Sequence, residues 1–244
     1  MNDLDFTKEN WHGYEMLRFA FEDRRAILVK PKKNCEGNKW LLKTVYFDAF
    51  PDFELEMLKR GYHLAFVSNK TRWHDETDDG VKDRFCEFLS NKFGLCDRCF
   101  PVGMSCGGMH AIYFAAAYPK RVAAMYLDAP VINLLSCPAG IGKGTTSMYE
   151  EFTNDTNMTL IDLINYRNHP IDKAMDIIEN KIPIFLVGGD SDEIVPFDEN
   201  GEVFYNLLEK HGANIIKVVK KGCNHHPHGL DDNTPLINFT LKYY

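Results

Sequence analysis

A serine becomes a useful nucleophile only where something takes its proton and something else holds its hydroxyl in the open. Ser105 sits in Gly103-Met104-Ser105-Cys106-Gly107, a G-x-S-x-G pattern. An apolar run, 99–104, enters it, and a stretch rich in alanine and aromatics, 107–118, leaves it. A strand, a sharp turn and a helix in that order would lift the serine Oγ above a sheet, with small glycines relieving the crowding of the turn. The first helical amides would then point at whatever the serine attacks. An incidental serine in a tight turn is the alternative reading. Chemistry of this kind also needs an imidazole and a carboxylate behind it. The chain offers His225, His226 and His228 in one late segment, and Asp128, Asp190, Asp192 and Glu193 after apolar runs.

Those candidates must be held by regular elements. Apolar patterning predicts a hairpin of 15–21 and 25–31, turning at Glu22-Asp23-Arg24. Further strands are predicted at 40–47, 62–68, 99–104, 122–127, 182–187 and 215–219. Helices are predicted at 51–60, 81–93, 107–118, 198–211 and 235–242. Near-continuous apolar strands alternating with amphipathic helices indicate an α/β fold, with a mostly parallel sheet covered on both faces. Residues 132–178 lack strand patterning and read as a helical insertion, a lid at the sheet's C-terminal edge, within a single domain spanning 1–244.

The segment Gly188-Gly189-Asp190-Ser191-Asp192-Glu193-Ile194-Val195-Pro196 resembles the G-x-x-D-x-x-V-P signature of α/β hydrolases, and Gly222-Cys223-Asn224-His225 resembles the turn that carries their histidine. Together with HHPHGL, AILVKPKKNCEGNKW, YLDAPV and NHPID, these stretches resemble small bacterial esterase-like α/β hydrolases over most of the chain. The resemblance implies the α/β-hydrolase fold and the order Ser105, Asp192, His225. It also implies cleavage of a carboxylic ester, with acyl groups on plant polysaccharide as a substrate class. Asp190 and Asp128 stay open as rival acids, and His226 and His228 as rival bases. Asn224 stands for the second glycine of the turn, since asparagine is well tolerated at positive φ.

Negative charge on the attacked carbonyl oxygen needs two donors. One is the backbone N–H of Cys106. The other is expected near Phe47 or Asp48, with the Asp48 carboxylate turned away. Relatives carry a glycine near the end of the 40–47 strand, where this chain reads Tyr46-Phe47-Asp48-Ala49-Phe50.

Composition narrows the partners. A net charge of −7 gives no basic face for nucleic acid and no attraction to anionic lipid. No apolar run approaches the roughly eighteen residues that would span a bilayer, and the N-terminus lacks the pattern of a secretory leader. The seven cysteines are an odd, scattered set that suits reduced thiols in a cytoplasm. A small-molecule or carbohydrate ester is the expected partner, with no cofactor. His225, His226 and His228 raise metal binding, but no second ligand cluster accompanies them, so no metal is expected. The rival readings are an amide or peptide hydrolase of the same fold and a non-catalytic ligand-binding protein that keeps the fold as a pocket; no further domain restricting peptide access is expected, which favours esters over amides. Ala139 to Thr145 resembles a phosphate loop but breaks its spacing and reads as a flexible loop. Cys96 and Cys99 read as an ordinary turn. Trp73 and His74, just past the 62–68 strand, are candidates for lining a substrate pocket, but as single residues in a polar stretch they read as surface residues.

Overall fold

A computed structural model describes residues 5–145 and 147–244. Among the described residues, nine strands form one sheet: β1 (Thr7–Trp11), β2 (Tyr14–Phe21), β3 (Arg24–Lys30), β4 (Trp40–Lys43), β5 (His63–Val67), β6 (Phe100–Met104), β7 (Met125–Asp128), β8 (Ile184–Gly189) and β9 (Ile215–Lys220). Their spatial order is β1-β2-β3-β5-β4-β6-β7-β8-β9. Pairing is antiparallel from β1 through β3 to β5 and parallel from there to β9. This is the α/β-hydrolase fold. Among the described residues, no helix is long and apolar enough to cross a membrane.

The alternation of strand side chains feeds two cores, one on each face. On one face, Leu42, Ala65, Leu127 and Leu186 pack under α2 (Glu76–Phe93), α3 (Cys106–Ala117) and α7 (Gly201–Lys210). On the other, Leu41, Leu64, Val102 and Phe185 pack under α1 (Asp52–Lys59) and α8 (Thr234–Tyr243). The central strands are buried at every position, which is why they read as unbroken apolar runs.

The differences from the sequence expectations have local causes. β1 has no apolar alternation, because only Trp11 of its residues is buried, so patterning could not reveal it. α2 begins at Glu76, ahead of the expected 81, since Asp75 caps it by accepting from Thr77 N at 3.0 Å. Its acidic first turn suits the helix dipole but carries no apolar period. β4 ends at Lys43, short of the expected 47, because the chain turns out of the sheet with φ +52° at Tyr46.

The 132–178 segment contains the short helices α4 (Tyr149–Thr156) and α5 (Leu160–Asn165), and ends on α6 (Ala174–Glu179). Phe152 and Leu163 bury against Trp73, Met109 and Tyr113. At its start, Asn200 Oδ1 accepts from Ile132 N at 3.0 Å and Asn133 N at 2.9 Å. The loop 139–145 is docked, with Lys143 N donating to Glu199 Oε1 at 2.9 Å. Trp73 is fully buried and His74 stacks on Tyr113 at 3.7 Å, so neither is a surface residue. Phe152 of this segment packs on Trp73, while Asp79 and Tyr113 enclose His74.

The loop leaving β4 is anchored from beneath. Lys43, fully buried, pairs with Glu54 of α1 and donates to the Ala49 carbonyl at 3.1 Å. Removing one partner of a buried pair strands the other charge. Glu54→Ala should therefore lower unfolding free energy by about 3–5 kcal/mol, read from urea denaturation.

Candidate active site

β6 runs into α3 through Ser105, whose φ of +54° and ψ of −122° place it in a conformation that a side chain rarely adopts. The turn survives because neighbouring positions are glycine. A Cβ on Gly103 would lie 2.5 Å from the Gly107 carbonyl, and one on Gly108 would lie 2.3 Å from Pro130 Cβ. Backbone bonds hold the bend from the next strand: Ser105 N donates to the Asp128 carbonyl at 2.9 Å, and Val131 N to the Ser105 carbonyl at 3.1 Å.

The loop after β8 brings Asp192, and the loop after β9 brings His225. His225 Nδ1 faces Asp192 Oδ2 at 2.7 Å, and His225 Nε2 faces Ser105 Oγ at 3.0 Å. An ionised carboxylate only accepts, so the ring proton sits on Nδ1 and Nε2 is left to accept from the serine. Asp192 Oδ1 takes Ile194 N at 2.9 Å and Val195 N at 2.8 Å, which fixes the carboxylate in its own turn. All three residues are buried.

The rival residues have other partners. Asp190 Oδ1 accepts from Gly222 N at 2.6 Å and ties the two late loops together. Glu193 is exposed. Asp128 forms a second carboxylate–imidazole pair, 2.9 Å from His228 Nδ1, and also accepts from Tyr126 Oη at 2.6 Å and Gly229 N at 2.7 Å. Burial alone would raise the Asp128 pKa, but its bond to His228 holds the carboxyl below its ordinary range. Asn224 acts differently from the sequence expectation. Positive φ in that turn falls on Gly222, at +68°. Asn224 instead uses its side chain, accepting from Glu193 N at 3.1 Å and His225 N at 2.6 Å.

The second oxyanion donor is expected from the loop after β4, near Phe47 or Asp48. The Asp48 carboxylate does turn away, accepting from Trp11 Nε1 at 2.7 Å, and Phe47 packs on Trp11 and Phe66. The same loop carries Tyr46, whose side chain lines a cleft together with Arg72. The φ of +52° at Tyr46 turns the chain back, which an aromatic residue at a strand end does not announce in sequence. Burial pushes the Tyr46 hydroxyl well above its usual pKa, so it stays a donor. Burial likewise raises the Cys106 thiol to about 11, leaving it neutral. As the first helical residue of α3, Cys106 has no intrahelical acceptor for its N–H.

Because Asn224 braces both late loops, Asn224→Ala should cost about 1–3 kcal/mol of stability. It should also slow labelling of Ser105 by a fluorophosphonate, measured as a rate at fixed probe concentration.

The chain matches the prolyl oligopeptidase family over residues 61–243, a span that contains Ser105, Asp192 and His225. Among solved structures it is similar to the acylaminoacyl peptidase of Pyrococcus horikoshii, with 18% identity and a TM-score of 0.64, covering 90% of this chain and 38% of that one. It is similar to dipeptidyl peptidase 4 of Porphyromonas gingivalis at 17% identity and a TM-score of 0.65, covering 98% and 34%. It is also similar to acetyl xylan esterase 1 of a Thermoanaerobacterium species at 15% identity and a TM-score of 0.66, covering 99% and 88%. The chain thus spans little more than a third of the peptidases and most of the esterase. By the match over most of its length, this chain belongs to the prolyl oligopeptidase family.

Proposed function

We propose that the chain is a serine hydrolase that cleaves a carboxylic ester, with a short acyl group carried on a carbohydrate, through an acyl-enzyme. The unbroken line of hydrogen bonds from Asp192 through His225 to Ser105 Oγ carries this reading. In it, His225 Nε2 takes the Ser105 proton as Oγ attacks the ester carbonyl. Asp192 stabilises the imidazolium that forms, and His225 hands the proton to the departing alcohol. Water then attacks the acyl-serine by the same route in reverse. The Cys106 N–H and the Tyr46 hydroxyl supply the donors for the oxyanion.

The acyl side is small in this reading because Cys106 and Val195 belong to the same packed cluster as Trp73, Phe152 and Leu163. The 132–178 insertion is its lid. The alcohol side fits a cleft of about 460 Å³ lined by Tyr46, Phe47, Phe66, Arg18 and Asn69. Aromatic faces alternating with polar groups suit a polyhydroxylated alcohol. The similarity to the acetyl xylan esterase, which extends over 99% of this chain, supports an ester. The family match and the peptidase neighbours favour a second reading, an amide hydrolase using the same residues. Matched ester and anilide substrates decide between them, the ester reading requiring faster turnover of the ester at equal leaving-group acidity.

Ser105→Ala should fold normally and lose turnover of p-nitrophenyl acetate and all fluorophosphonate labelling; near-normal turnover by that variant would remove the nucleophile assignment. Asp192→Asn should lose about 10⁴-fold in kcat, and Asp128→Asn far less.

Tyr46→Phe removes one oxyanion donor and keeps the ring. It should lower kcat by about 10²–10³ with little change in KM, measured by steady-state kinetics on the same ester.

A further inference from the structure

The segment that supplies His225 also supplies His226 and His228, and the fold gathers all three imidazoles. One nitrogen from each ring lies within 4.8 Å of the other two, and the ring centroids stand 4.9 Å apart in every pair. Two of the rings are already aimed. Asp192 binds Nδ1 of His225 and Asp128 binds Nδ1 of His228, so Nε2 is the lone-pair nitrogen of each ring, in His225 the one that faces Ser105 Oγ at 3.0 Å. A carboxylate behind an imidazole is the arrangement that orients histidine ligands and raises their basicity toward a metal.

The third ring is the adjustable one. His226 is exposed, and Phe50 stacks on it at 5.6 Å while meeting His228 edge-on at 5.3 Å. The intervening backbone is pinned by Lys220 Nζ, which donates to the Pro227 carbonyl at 2.6 Å and the Gly229 carbonyl at 3.1 Å. The ammonium of Lys220 adds positive charge near the cluster, which the carboxylates of Asp128 and Asp192 offset.

We propose that His225, His226 and His228 form a reversible inhibitory site for a divalent transition metal of the zinc class. Three neutral nitrogen donors suit zinc, nickel or copper and not magnesium or calcium, which take oxygen. A metal on Nε2 of His225 occupies the lone pair that accepts the Ser105 proton. The metal-loaded chain therefore cannot activate its serine, and removing the metal restores it. No bond of the protein is made or broken beyond coordination. Binding stands on the histidine geometry alone; inhibition rests in addition on the proposed role of Ser105.

The two parts separate experimentally. Calorimetric titration of the chelator-treated chain with zinc should show one ion bound per chain, no heat with magnesium, and binding about tenfold weaker or worse in His226→Ala. Absence of zinc binding up to millimolar concentration, or binding that His226→Ala leaves unchanged, would overturn the site. In parallel, zinc should block fluorophosphonate labelling of the wild-type chain and EDTA should restore it. His226→Ala should label at the wild-type rate without metal and need at least about tenfold more zinc to be blocked. Zinc that binds at the cluster yet leaves labelling untouched would overturn the inhibition. A chain that never labels, with or without metal, would count against the proposed nucleophile, and calorimetry would still decide the metal site.

Discussion

The bend at Ser105 is the constraint that the remaining structure serves. A non-glycine residue at φ +54° is unfavourable on its own, and it persists here because the surroundings leave the chain no other path. Gly103 and Gly108 let β6 and α3 approach more closely than any side chain would permit, and Pro130 closes on Gly108 from the far side. The carbonyl of Asp128 and the amide of Val131 then lock the serine backbone to the neighbouring strand and its exit. Strain at one residue is offset by packing and backbone bonds spread over several.

That bend sets where the two late loops must arrive. β8 and β9 pair in register through Gly189 and Lys220, so their exits lie side by side. A Cβ on Gly189 would sit 2.2 Å from the Cys223 carbonyl, which shows how closely the loops pass. Asp190 and Asn224 cross-link them, and the imidazole reaches the serine as a result. The outcome is a doubled arrangement: Asp192 with His225 at the serine, and Asp128 with His228 behind it. The second pair fills what would be a buried polar gap at the end of β7 and steadies the loop that carries the first.

On the opposite side, the loop leaving β4 rests on the buried Lys43–Glu54 pair beneath it, and Arg72, which lines the same cleft as Tyr46, pairs with Glu151 of α4. Residues of the 132–178 segment therefore meet the rest of the chain through this ion pair as well as through the apolar cluster around Trp73.

The amino-acid sequence by itself determined the strand–helix alternation, the strand-to-helix serine and the order in which the acidic and histidine segments follow it. These features rest on local patterning: unbroken apolar runs for buried strands, glycines where backbones cross, turn residues after each strand. It left β1 unseen because an exposed edge strand carries no apolar period, and it placed Trp73 and His74 outside because their cover comes from residues far along the chain. Only tertiary structure decided that Asp192 and not Asp190 or Asp128 faces His225, since all three follow strand ends and differ only in the direction of the side chain. The same holds for Asp48, whose carboxylate is taken up by Trp11, a residue far from it in sequence. Direction in space depends on contacts between segments distant in sequence, and spacing along one chain carries no record of it.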